Sequence, residues 1–110
     1  MPKLHLTHTT TGLGTTLADI LPPMDLGDFA RKAVTVKNTG ANAFADCKLQ
    51  TGPTDAGPWF DETVPAAMQT LGAGASSRWA GLSADRYLRV QAKTAGGTTD
   101  TQVWVDAVDA

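Results

Sequence analysis

Residues 24–40 constrain the fold more than any other part of the chain: Met24 Asp25 Leu26 Gly27 leads, a few residues on, into Val34 Thr35 Val36 Lys37, which stops on Asn38 Thr39 Gly40. Valines two apart with polar residues between them lie on one side of an extended chain, because successive side chains of a strand point to opposite faces. Asn-Thr-Gly then supplies a stop, since Asn and Gly tolerate turn conformations that β-branched residues resist. The stretch predicts a half-buried β-strand with a defined entry and a defined end. It speaks to fold and carries no catalytic or metal motif.

The same period of two recurs along the chain. Residues 3–9 alternate Leu4 and Leu6 with Lys3, His5 and Thr7. Residues 43–51 place Ala45, Cys47 and Leu49 inward and Phe44, Asp46, Lys48 and Gln50 outward. A shorter run surrounds Trp79 over residues 76–81. Residues 86–94 send Leu88, Val90 and Ala92 inward and Tyr87, Arg89, Gln91 and Lys93 outward; residues 99–108 set Val103, Val105 and Ala107 against Gln102, Trp104 and Asp106. Ala95 Gly96 Gly97 Thr98 between these two runs reads as a hairpin turn joining neighbouring strands.

Turn signals punctuate these runs at short intervals, among them Thr11-Gly12, Pro22-Pro23, Gly52-Pro53, Gly57-Pro58 and Gly72-Ala73-Gly74. Short alternating runs with such punctuation predict an all-β sandwich or barrel. Residues 12–28 lack a clear period; residues 16–21 read as a helical turn or a strand, which Pro22 and Pro23 end either way because they cannot donate ladder hydrogen bonds, so a mobile connection is expected there. Residues 52–63 read as a loop with a short strand near Trp59 and Phe60.

At 110 residues the chain has room for one core, sizeable enough to need no metal or disulfide staple. A net charge of -2 with both signs interspersed offers no basic stripe for a phosphate backbone, so no nucleic-acid partner is expected. Cys47 is the single cysteine, which excludes an intrachain disulfide and a Cys-rich zinc site and reads as a small core residue. No run approaches the ~20 apolar residues needed to cross a bilayer as a helix, and the N-terminus lacks an export h-region, so neither membrane anchoring nor secretion is expected.

Taken in order, Met24 Asp25 Leu26 Gly27, Val34 Thr35 Val36 Lys37 Asn38 Thr39 Gly40, Trp59, Leu71 Gly72 Ala73 Gly74 and Tyr87 Leu88 Arg89 Val90 resemble the Ig-like modules of phage virion proteins and of bacterial surface or cilia-associated proteins. The resemblance covers about the last three quarters of the chain. It implies an Ig-like β-sandwich of about seven strands over residues 24–110, preceded by an N-terminal strand and extended arm over residues 1–23. It also implies a non-enzymatic bacteriophage virion structural protein, such as a capsid decoration or cement protein, assembled in the host cytoplasm without a cofactor. Its partners would be the major capsid or tail protein and further copies of itself. The chain departs from the pattern in lacking a cystine and in setting Tyr87 on the face of Arg89, away from Leu88 and Val90.

Candidate site residues follow from the faces. Phe44, Tyr87 and Trp104 fall opposite the aliphatic residues of their own strands, on the side a sandwich turns to water, and form a candidate protein interface. Trp59 and Trp79 read as packing residues, and alternatively as a carbohydrate platform in a tail or fibre module that binds host-surface sugar. A bacterial Ig-like scaffold module is a third reading. His5 and His8 stand three apart in an extended run and so point to opposite faces, which does not suit a shared metal. Ser76 and Ser77 lack a nucleophile-elbow context, and Asp61 and Glu62 point apart in an extended segment, so no enzyme is expected.

Overall fold

The computed structural model describes residues 3–27, 29–82 and 85–108. Met1 and Pro2 of the expected arm, and Asp109 and Ala110 at the far end of the expected domain, lie outside the described residues. Eight strands form, β1 Lys3–Leu13, β2 Ala18–Asp25, β3 Arg31–Asn38, β4 Phe44–Gly52, β5 Phe60–Asp61, β6 Ser76–Leu82, β7 Tyr87–Thr94 and β8 Thr99–Val108, with one short helix, α1 Ala66–Gln69, between β5 and β6. The first sheet has the order β1-β8-β3-β6 and the second β2-β7-β4-β5, with antiparallel pairing throughout.

The all-β sandwich is as the alternation predicts, while the connectivity is not that of an Ig domain. An Ig sandwich puts its first two strands side by side in one sheet. Here β1 and β2 lie in different sheets, and only β4 and β5 are both consecutive and paired. Two four-stranded antiparallel sheets linked in this way make a jelly roll.

Four local expectations change with that topology. The residue 95–98 turn does not close a hairpin: β7 is held between β2 and β4, and β8 between β1 and β3, so the turn crosses from one sheet to the other. Thr94 Oγ1 donates to Gly97 O at 2.7 Å, Asn42 Nδ2 donates to Thr98 O at 2.7 Å, and Gly97 takes a φ of 69°. Phe44 lies inside, because a register shift between Phe44 and Asp46 adds one residue to β4 and turns Phe44 to the face of Cys47 and Leu49.

Residues 12–28 are not a free connection. Ile20 and Leu21 are both fully buried, and β2 accommodates its prolines as an edge strand with register shifts between Asp19 and Leu21 and between Leu21 and Met24. For the same reason residues 3–25 are not a strand plus an arm: β1 pairs along β8 and β2 along β7, so they supply one edge of each sheet.

Val34 and Val36 of β3 and Val103, Val105 and Ala107 of β8 face Leu88, Val90 and Ala92 of β7 and Cys47 and Leu49 of β4, all essentially without exposure. Met68 of α1 and Leu71 are buried in the same core, with α1 lying against β4 and β6. Burial, with a smaller push from Asp46, raises the Cys47 thiol to about 12, so it stays protonated and packs as an apolar side chain.

Two turns explain the residues that opened the sequence. Asn38, fully buried, donates from Nδ2 to the carbonyls of Asn42 (2.7 Å) and Leu71 (3.1 Å) and accepts at Oδ1 from Thr99 Oγ1 (2.6 Å) and Gly40 N (3.2 Å). Asp25 accepts from Arg86 Nε and Nη2 and from Gly27 N at 2.9–3.0 Å, bonds from Arg86 first and Gly27 second that lower its pKa.

Among the described residues, the hydroxyl of Thr101 is the buried side-chain polar atom without a hydrogen-bond partner. Leaving such a group dry and unpaired costs about 1 kcal/mol or more. Thr101→Val is therefore expected to stabilise the protein by about 1 kcal/mol, read as a raised midpoint in urea denaturation. A lowered midpoint would show that the hydroxyl is satisfied in solution.

Candidate functional site

The outer face of the first sheet is laid out in four rows by its pairing. From β6 through β3 and β8 to β1 they read Leu82, Arg31, Val108, Lys3; then Ala80, Ala33, Asp106, His5; then Arg78, Thr35, Trp104, Thr7; then Ser76, Lys37, Gln102, Thr9. Leu82, Val108, Ala80 and Ala33 adjoin one another at one end, with Trp104 a row further in. Gly81 turns its backbone to the same region, leaving an open, mostly apolar trough of about 700 Å³ walled by Arg31, Arg78 and Asp106.

Leu82 is 68% exposed, one of two large apolar side chains so placed among the described residues, the other being Phe60. Asp106 bonds His5 Nδ1 and lies 3.9 Å from Arg78 Nη2, so that among the described residues Arg31 is the wall cation with no ion pair. Lys32, which also lines the trough, is buried and donates from Nζ to Asp85 O at 2.7 Å. Desolvation lowers its pKa, while Asp85 and Glu62 act against that shift. Such a surface suits an apolar partner with polar edges: burying Leu82 alone is worth about 2 kcal/mol.

The outer face of the second sheet differs in kind. Asp19 accepts from Gln91 Nε2 (3.0 Å), Gln50 Oε1 accepts from Arg89 Nε (2.8 Å), and Gln50 Nε2 donates to Asp61 (2.7 Å). The Arg89 guanidinium lies 4.3 Å from the centroid of the Trp59 ring. This face is a hydrogen-bonded polar ladder, with its one tryptophan already covered on one side by a cation.

The structure therefore does not bring Phe44, Tyr87 and Trp104 together. Phe44 is a core residue at 2% exposure; Tyr87 and Trp104 are half-buried on the outer faces of opposite sheets. Trp79, 7% exposed, points inward and cannot serve as a sugar platform, and Trp59 is half-buried beneath Arg89. His5 and His8 lie on opposite faces of β1, as their spacing predicts.

Sequence reasoning missed Leu82, Val108, Ala80 and Ala33. One signal was available: Val108 has the parity of Trp104 in β8 and so shares its face. The others come together only through the β6–β3–β8 register, which is not local.

No family model matches this chain, and no curated protein matches it. Solved structures do resemble it. PirA superposes with a TM-score of 0.57 at 15% identity, covering 93% of this chain and 93% of that one. The SPBc2 prophage-derived protein YomS gives 0.55 at 11% identity over 96% of each. A subunit of the Bacillus endospore appendages, described as disulfide-linked pili, gives 0.54 at 13% identity over 99% of this chain and 88% of that one. At such identities the likeness is one of fold.

Proposed function

We propose that this chain is a non-enzymatic structural protein of a bacteriophage virion, a decoration or cement protein that docks the outer face of its first sheet on the major capsid or tail protein. The observation that carries the reading is the apolar trough around Leu82 and Val108, a contact surface on a face that a free sandwich turns to water. The fold, shared with a prophage-derived protein and with a pilus subunit, is compatible with it. Repeated copies on a symmetric lattice would let a modest contact hold by avidity.

The test is the copy number of the chain in density-gradient-purified particles, by quantitative mass spectrometry against the major capsid protein, for the native protein and for Leu82→Asp. A copy number that tracks the major capsid protein supports decoration, and Leu82→Asp, at an exposed position, is expected to cut occupancy at least tenfold while leaving the thermal midpoint unchanged. Absence of the chain from particles would overturn the virion reading. Full occupancy by Leu82→Asp would overturn the choice of face.

A further inference from the structure

The four sheet edges of this molecule are not alike. The second sheet ends on β2, which carries Pro22 and Pro23 and two register shifts, and on β5, which is two residues long. Both are forms of edge that resist pairing with another strand. The first sheet ends on β1, paired without a break from Lys3 to Thr10, and on β6, seven residues paired without a break to β3. Neither of those stretches contains proline, and among the described residues 76–82 make no backbone hydrogen bond to a backbone group outside their own sheet. One sheet is blunted at both ends and the other is open at both ends.

We propose that the first sheet continues from one copy of this chain to the next, by antiparallel pairing of β6 with β1 of the second copy. Three observations select this occupant. Strand direction alternates across β1-β8-β3-β6, so the two edges run in opposite directions and a second copy in the same orientation adds as an antiparallel neighbour. The open stretches are close in length, Ser76–Leu82 falling within the span from Lys3 to Thr10 with one residue to spare.

The register is selected as well. Continuing the rows of the outer face sets Leu82 opposite Lys3, Ala80 opposite His5, Arg78 opposite Thr7 and Ser76 opposite Thr9 of the second copy. On the inner face it sets Trp79 opposite Leu6 and Gly81 opposite Leu4. Leu4 and Leu6 are only partly buried within one copy, and the position above Gly81 is already flanked by the Trp79 ring, so this pairing covers apolar surface that the isolated sheet leaves open. A shift of two residues one way sets Arg78 against His5; the other way sets Trp79 against His8. A shift of one residue would bring outer side chains to the inner face.

Because the contact joins two different edges it is heterologous, and it propagates into a ring or a filament instead of stopping at a dimer. The inference deepens the assembly reading by naming how copies meet, and it stands or falls separately from docking on a capsid.

The test uses the full chain with His5→Cys and Ala80→Cys together, treated at high concentration with a short thiol-to-thiol cross-linker; Cys47 is buried and protonated and stays silent. A ladder of trimers and higher species on a non-reducing gel is expected, with each single variant remaining monomeric because its one thiol meets no second thiol at the contact. His5→Cys with Arg78→Cys, two residues out of register, is expected to cross-link at least tenfold more slowly. Circular dichroism melts confirm that each variant folds. Monomers alone, dimers alone, or equal rates for the two pairs would overturn the proposal, and none of these outcomes alters the copy number measured in particles.

Discussion

Asn38→Leu is expected to cost about 4 kcal/mol of folding stability, a large share of the roughly 5–15 kcal/mol that holds a domain of this size. The side chain uses both amide hydrogens and accepts two bonds, so its loss strands the carbonyl of Asn42, the hydroxyl of Thr99 and the amide of Gly40 at once, and leaves the Leu71 carbonyl only its bond from Phe44 N. Leucine fills a similar volume and makes none of these bonds. Each orphan costs about 1–3 kcal/mol where water cannot reach it, and those nearer the surface recover part of that. The same residue also ties four segments, the end of β3, the turn before β4, the Leu71 stretch between α1 and β6 and the start of β8, so the loss falls on the closure of one end of the sandwich. Urea denaturation reads the effect directly, and a loss below about 1 kcal/mol would show that the network is dispensable.

Gly40→Ala is the second large effect, expected at about 3 kcal/mol. A Cβ there would overlap Thr99 Oγ1 and lie 2.6 Å from Asp100 N and 2.9 Å from Thr99 Cα. The hydroxyl could rotate away only by giving up its bond to Asn38, and the backbone atoms could move only by shifting the start of β8. Gly72 is the control: its Cβ would meet nothing within 4 Å and its φ is not positive, so Gly72→Ala is expected to be neutral or to stabilise by about 0.5 kcal/mol. Thermal melts in which both alanine variants behave alike would remove the steric argument. Because Asn38 and Gly40 share one network, the double variant is expected to lose less than the sum of the two singles.

These two residues are the Asn and Gly of the turn that ends the strand in the opening stretch of the sequence. Their importance for fold was legible there, but the reason differs. The turn is not simply a permissive stop: Gly40 has no positive φ, and Asn38 works as a buried hydrogen-bonding hub. A local motif signalled a non-local network whose partners lie 33 and 61 residues away.

The candidate site was legible in part. Trp104 falls on an outer face as its parity requires, whereas Phe44 fails on the single extra residue in β4, which inverts every assignment before it. Leu82, Val108, Ala80 and Ala33 come from three strands, and no local pattern says that those strands are neighbours. The same limit hid the unequal edges, since a strand's place in its sheet is a property of pairing.

By itself the sequence determined the β class, the extents of β3, β6, β7 and β8 to within a residue or so, and the inward faces of β3, β7 and β8, because side-chain alternation in a strand depends only on neighbours along the chain. Only the tertiary structure decided the rest: that β7 and β8 part into different sheets, that the prolines of β2 sit on an edge, and that eight strands close as a jelly roll with an apolar trough on one face. Those outcomes depend on which strands share backbone hydrogen bonds across tens of residues. Alternation tells a strand which side to bury and is silent about which strand it will lie beside.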